Sequence, residues 1–425
     1  EMCLMRVVAD LHVHSRFAMA CSNAINPESM EFTAREKGIN VIGTGDVLHP
    51  AWLKELESKL ESEGNGLYKL KGVDSFVRFI PSVEVSTIFE GDDKSIKKIH
   101  NCILLPSLDD AKMLSEELKA YGSMDSDGRP QLQMRASELV DKVLGVNKNA
   151  FVFPAHLWTP YFGALGAMSG FNSIKEAYED REKDIHAYES GLSSDPKMNW
   201  RISELDKYTL ISNSDMHSLP NMGRESNVFE LEKLSYDSII KAIVEKDVKK
   251  FEQTVEYYPE EGKYHYDGHR ECHYSVNPEE SKSSVCKVCG KKLVIGVLHR
   301  IDDLADRPVG FIPKNHIPYT HAVPLLEIIS YATKKTRYTS FVREQYAKLI
   351  ERFGDELDIL TKAKIDDIEE IAGSDIAECI DNVRNDRITI KPGYAGVFGE
   401  LDLLSRDKNI KPQITNQKSM SDFFT

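Results

Sequence analysis

The sequence has no apolar run approaching the ~20 residues that span a bilayer, and its first residues lack the apolar core of a secretory leader. These absences predict a chain that is neither membrane-embedded nor exported, with the cytoplasm as its place. Positive charge is also in deficit. The 54 Lys and Arg face 68 Asp and Glu, a formal net charge of −14. That excludes a mechanism resting on a broad basic surface for phosphate backbones, although bound metal ions would reverse the sign locally. The seven Cys are odd in number and sit in a long chain, so a disulfide framework is not expected and a reducing compartment is. Repeats and low-complexity blocks are missing. What remains is a 425-residue chain with 41% hydrophobic residues, enough for two or three domains.

Up to about residue 255, short apolar runs alternate with helical patterns. Val7–Ala9, Val41–Gly43, Phe76–Pro81, Cys102–Leu105, Phe151–Phe153, Ala187–Tyr188 and Leu210–Ser212 read as strands buried on both faces. Asn26 followed by Pro27 is a helix start, and Gly38 its stop. Ser107–Ala120 and Leu234–Glu245 are helical by pattern. The alternation predicts a parallel α/β fold, and seven strands suit a closed or nearly closed barrel. From about Tyr257 to Arg307 the chain is rich in His, Cys and Tyr and short of helical periodicity. From Pro308 it turns helical again, clearest over Phe341–Phe353 and Asp366–Arg384, then passes a glycine-rich turn at 391–399 and a polar tail.

The His, Asp and Glu residues fall at the ends of the expected strands. Asp10, His12 and His14 follow the first; Asp46 and His49 the second; Glu84 the third; His156 the fifth; Glu189 the sixth; Asp215 and His217 the seventh. The carboxyl ends of parallel strands converge on one face, so residues distant in sequence would meet there. His-x-His and Asp-x-His on extended backbone place both side chains on one side. Imidazoles and carboxylates together suit Zn, Mn or Fe. Glu189 reads equally as a ligand or as a support behind one.

The order His-x-His, Asp, His, Glu, His, His, Asp-x-His resembles the polymerase and histidinol phosphatase (PHP) superfamily. The resemblance implies a distorted (β/α)7 barrel with two to three divalent ions (Zn, Mn, Mg or Fe), held by His12, His14, Asp46, His49, Glu84, His100, His156, Asp215 and His217. Here Val47 and Leu48 separate Asp46 from His49, where the family has the two adjacent. Further segments, at 43–53, 154–160, 189–196, 214–218 and 296–300, resemble the endonuclease Q family within it. That implies a DNA repair nuclease cutting 5′ to a deaminated base or abasic site, with Asp215, Glu84 and His156 at the reacting centre. The alternative is a PHP phosphatase acting on small phosphomonoesters.

A deaminated base carries a carbonyl in place of an amine, so its reader needs a hydrogen-bond donor. Ser193 and Asn213 flank the expected ligands and could supply one. Trp158, Tyr161 and Phe162 could stack on a base, or pack the core.

A second cluster is separate. Cys286-Lys-Val-Cys289-Gly is a zinc-ribbon turn, and His269-Arg-Glu-Cys272 upstream has the same gap. His269, Cys272, Cys286 and Cys289 make a closed structural zinc site, with His265 and His273 as rivals for the fourth place. Lys282, Lys287, Lys291, Lys292 and Arg300 nearby could touch DNA. At the tail, Gln417, Met420, Phe423 and Phe424 resemble the box that binds the sliding clamp PCNA; the last three share one face of a helical turn. The expected organisation is a barrel over 1–255, a zinc unit over 256–307, a helical unit over 308–405 and a clamp-binding tail over 406–425, monomeric apart from the clamp.

Overall fold

The computed structural model describes residues 4–281 and 283–404. The barrel wall is built from β1 (Met5–Asp10), β2 (Val41–Gly43), β3 (Arg78–Ile80), β4 (Ser82–Glu90), β5 (Ile96–Leu104), β6 (Phe151–Pro154), β7 (Ala187–Glu189) and β8 (Thr209–Ile211). Only Pro81 separates β3 from β4, so the wall has seven staves. β1, β2 and β3 pair in parallel, as do β7 and β8. β5 runs antiparallel to both β4 and β6. This one reversed strand is what distorts the barrel. The ring closes where Val13 bridges Met216 and Asp215 N–H donates to His12 O at 3.0 Å.

β1 shows why these runs are continuously apolar. Val7 and Ala9 pack inward against Val41, Ile80 and Phe153, while Val8 packs outward with Ile25 and Met30 under the helices. Burial on both faces removes the polar alternation of a half-exposed strand. The first helix, α1 (Pro27–Lys37), starts on Asn26, whose side chain accepts from Ser29 N–H, and ends on Gly38 at φ 77. That left-handed conformation suits glycine.

Beyond the ring, β9 (Ser226–Leu231) pairs with β1, and β10 (Phe251–Glu256) pairs with β9. β11 (Tyr319–His321) then adds to β10 in parallel. Residues 319–321, expected in the helical unit, thus join the barrel sheet. The helical region past Pro324 has its own core, including Leu325, Ile329, Leu349, Ile359, Ile376 and Ile380. The single helix expected over Asp366–Arg384 is two, Ile365–Ala372 and Ser374–Arg384, divided by Gly373 at φ 89. The tail residues Gln417, Met420, Phe423 and Phe424 lie outside the described residues.

Among the described residues no helix is long and apolar enough to cross a membrane.

Candidate metal centre

Two groups of ligand-type atoms meet at the barrel mouth. His12, His14, Glu84 and Asp215 form one; Glu84, His100 and His156 form the other. Glu84 belongs to both. Its Oε2 lies 3.2 Å from His14 Nε2 and 3.7 Å from His12 Nε2, and its Oε1 lies 2.6 Å from His100 Nδ1 and 2.9 Å from His156 Nε2. Asp215 Oδ1 approaches His14 Nε2 at 3.1 Å and His12 Nε2 at 3.6 Å. His12 Nε2, His14 Nε2 and Asp215 Oδ1 are buried and make no hydrogen bond. Buried polar atoms are rarely left so. Three of them converging, two imidazole nitrogens and a carboxylate oxygen, are the donor set a divalent transition metal takes.

Each of three imidazoles is fixed from behind. His12 Nδ1 lies 3.0 Å from Glu189, whose other contacts are His156 N–H at 2.7 Å and the Asn213 amide at 2.9 Å. His14 Nδ1 lies 3.0 Å from Asp46 Oδ1, and Ser15 N–H donates to Asp46 Oδ2 at 2.6 Å. His156 Nδ1 lies 2.9 Å from the Thr159 hydroxyl. Such contacts set the tautomer and the ring's direction. Asp46 thus lies behind His14 and is in neither group. Glu189 has the same supporting place. His49 stacks on Phe17 at 4.3 Å, and His217 lies beside His14 at 4.6 Å; neither joins a group.

The backbone bends sharply to present these side chains. Asp46, His156 and Asp215 have φ of 47°, 28° and 45°. Non-glycine residues in that region cost of order 1–3 kcal/mol and cluster at functional sites. No sequence motif signals this. His100 reaches the centre because β5 is reversed: its early residues lie at the end where the other strands finish.

Burial alone would raise Glu84, but the imidazoles of His100, His12 and His14 outweigh it and hold the carboxyl well below its usual range. Burial pushes His100 down to about 4. Burial would also raise Asp215, yet the His14 contact and the His12 charge keep it anionic.

Asn213 is not placed to read a base. It is buried, its amide donates to Glu189, and its oxygen accepts from Leu11 N–H at 2.9 Å and Asn227 at 3.0 Å. The amide ties the barrel wall together. Ser193 is also buried, on the loop after β7, packed against Gly262, where a Cβ would come within 2.3 Å of its hydroxyl. Trp158 is core, donating to Asn199 at 2.7 Å. Phe162 packs on His100 at 4.3 Å, and Tyr161 is 48% exposed. One residue near the centre carried no sequence signal: Arg129, whose Nη1 lies 3.0 Å from Glu84 Oε2, on a loop without a spacing pattern.

The ligand atoms of His269, Cys272, Cys286 and Cys289 lie within 4.8 Å of one another. His269 is thus the histidine in place; His265 stacks on Tyr266 instead. Cys286 N–H donates to Lys291 O at 2.8 Å, and Gly290 turns the chain at φ 74. The Cys289 and Cys286 thiols push Cys272 up to about 11, as crowded thiols do. Arg300 donates to Leu165 O and Phe171 O, holding the loop after β6, so it is not a free DNA contact. Lys282 lies outside the described residues.

Residues 324–387 match the family model described as the MJ0043 C-terminal domain. The uncharacterized protein MJ0043 of Methanocaldococcus jannaschii is 32% identical over 243 residues, 54% of this chain but only 30% of that relative's length. A solved endonuclease Q structure, in complex with a 27-mer duplex substrate with an abasic lesion at the active site, is 29% identical at a TM-score of 0.84, covering 96% of this chain and 100% of that one. The lesion-specific endonuclease PfuEndoQ from Pyrococcus furiosus is 30% identical at a TM-score of 0.81, covering 93% of this chain and 95% of that one. With that identity held across nearly both full lengths, the chain belongs to the endonuclease Q family.

Proposed function

We propose that the protein is a metal-dependent DNA repair endonuclease. It hydrolyses the phosphodiester 5′ to a deaminated base (uracil or hypoxanthine) or an abasic site, leaving a 3′-hydroxyl and a 5′-phosphate. The observation that carries this reading is the meeting of two ligand groups on Glu84, with three buried donor atoms left without a hydrogen bond. It is supported by the endonuclease relatives that share the fold.

His12, His14, Glu84 and Asp215 would hold one divalent ion, and Glu84, His100 and His156 a second. Bound divalent ions neutralise phosphate oxygens and make water acidic enough to attack at neutral pH. The chain's part is positional. Glu189, Asp46 and Thr159 aim the imidazoles, and the buried wall excludes competing solvent. The zinc unit over 256–307 would be structural, held by His269, Cys272, Cys286 and Cys289. The box at Gln417, Met420, Phe423 and Phe424 would tether the enzyme to the sliding clamp.

The test is incubation of the metal-loaded protein with end-labelled duplexes containing uracil, hypoxanthine or an abasic site, beside a phosphomonoester. A nick 5′ to the lesion is expected. Release of phosphate from the monoester with no nick would overturn the reading. Asp215→Asn should abolish nicking; wild-type turnover by that variant would remove the metal centre from the reaction. Deleting 417–425 should leave nicking intact and abolish clamp capture.

A further inference from the structure

We infer that Arg129 is a catalytic residue that binds the scissile phosphate, an assignment that rests on the nuclease reading above. The centre is otherwise made of imidazoles and carboxylates. Among the described residues Arg129 is the sole Lys or Arg that pairs with a carboxylate of either ligand group, through Nη1 to Glu84 Oε2 at 3.0 Å. A quarter of its side chain (25%) is exposed, against 0% for Glu84. The guanidinium therefore reaches the shared ligand from a place that solvent, and so a substrate, can reach.

The loop that carries it is pinned to the mouth. Asp127 Oδ1 accepts from Met19 N–H and from Arg129 N–H, both at 3.1 Å. Gly128 N–H donates to Phe17 O at 2.9 Å, and Pro130 O accepts from Ser86 N–H at 2.9 Å. Gly128 lies directly on the Asp46 carboxylate, where a Cβ would sit 2.5 Å from Cγ. Glycine is needed there for close approach alone. The segment 127–130 is thus fastened at both ends to the elements bearing His14, Asp46 and Glu84.

A plain ion pair does not account for this placement. Glu84 already faces four imidazoles, those of His12, His14, His100 and His156. Divalent ions held by the same oxygens would weaken the hold of Glu84 on Arg129. A guanidinium cannot shed its proton, so it would then stand beside cations and need an anion. A phosphodiester supplies one. Its two non-bridging oxygens match the planar fork of an Arg, which a Lys reproduces only as a point charge. Fixed there, Arg129 would offset the charge that builds on those oxygens as water attacks.

The experiment compares wild type, Arg129→Ala and Arg129→Lys in three measurements: metal content, single-turnover nicking of an abasic duplex, and equilibrium binding to two analogues. One analogue replaces the bridging 3′ oxygen at the scissile position with CH2, keeping the charge. The other carries a neutral methylphosphonate there. Arg129→Ala is expected to keep its metals, to nick about 10²-fold more slowly, and to lose the wild-type preference for the charged analogue. Arg129→Lys should fall between, which also covers the case that the alanine variant folds poorly. Wild-type nicking by Arg129→Ala, an equal loss of affinity for both analogues, or loss of metal would overturn the assignment, the last by making Arg129 a prop for Glu84. If the wild type itself nicks no lesion duplex, the nuclease reading fails first and this one with it.

Discussion

Glu84 is shared by two ligand groups, and the residues behind the ligands matter almost as much as the ligands. Glu189 touches His12 Nδ1, the His156 N–H and the Asn213 amide at once. Replacing it with Ala should leave His12 free to rotate and lower metal affinity about 10–100-fold, measured by competition with a chelator of known strength; unchanged affinity would show that His12 needs no support. At this scale the sequence was legible where spacing carried the message. His12, His14 and Asp215 stand out because x-spaced pairs at strand ends are seldom structural, and Glu84 because it follows a strand run in the same way. Arg129 was illegible because it comes from a loop that only the fold brings to the site. Asn213 misled for the complementary reason. Adjacency to Asp215 says nothing of direction, and its amide is spent inside the wall.

At the scale of elements, the reversed strand β5 carries His100 to the site, and α1 docks on the helical region. Lys37 at the end of α1 pairs with Glu356 at 2.8 Å with both side chains buried, and Glu356 also accepts from Leu325 N–H and Tyr346 OH at 3.0 Å. Lys37→Met leaves a buried carboxylate without its cation and should cost roughly 3 kcal/mol, read from the urea midpoint. A loss below about 0.5 kcal/mol would place the pair among weak surface contacts. The Cys-His turn proposed to hold zinc should behave as an independent element. Cys286→Ser is expected to lose one bound zinc and become protease-sensitive between 267 and 294, with the barrel's main unfolding transition unchanged, because so small an insert buries little without its ion. Joint loss of both would mean the two units fold as one.

Across the whole molecule, the acidic balance of −14 is partly internal. Glu225 and Glu256 are fully buried, and Glu256 accepts from Thr254, Ser212 and Ser190 hydroxyls at 2.5, 3.0 and 3.2 Å, the two serines at the ends of β8 and β7. Burial pushes Glu256 from 4.5 up to about 7. The folded state therefore binds more protons than the unfolded one between those values, so stability falls as pH rises through that window and the loss is complete above about 7. Glu256→Gln should raise the melting temperature at about pH 8 and change it little near pH 5; an equal shift at both would assign the effect to packing. The sequence by itself determined one apolar run in each of the seven staves, the ends of α1, the His, Asp and Glu residues that gather at the barrel mouth and the Cys-His spacing of the 269–289 segment, because periodicity, capping and spacing are local. Only the tertiary structure decided that β5 runs backwards, that Asp46 and Glu189 stand behind ligands, that residues 319–321 return to the barrel sheet and that Arg129 reaches Glu84. Those depend on which chain segments meet, and burial and ring closure settle that over separations no local pattern records.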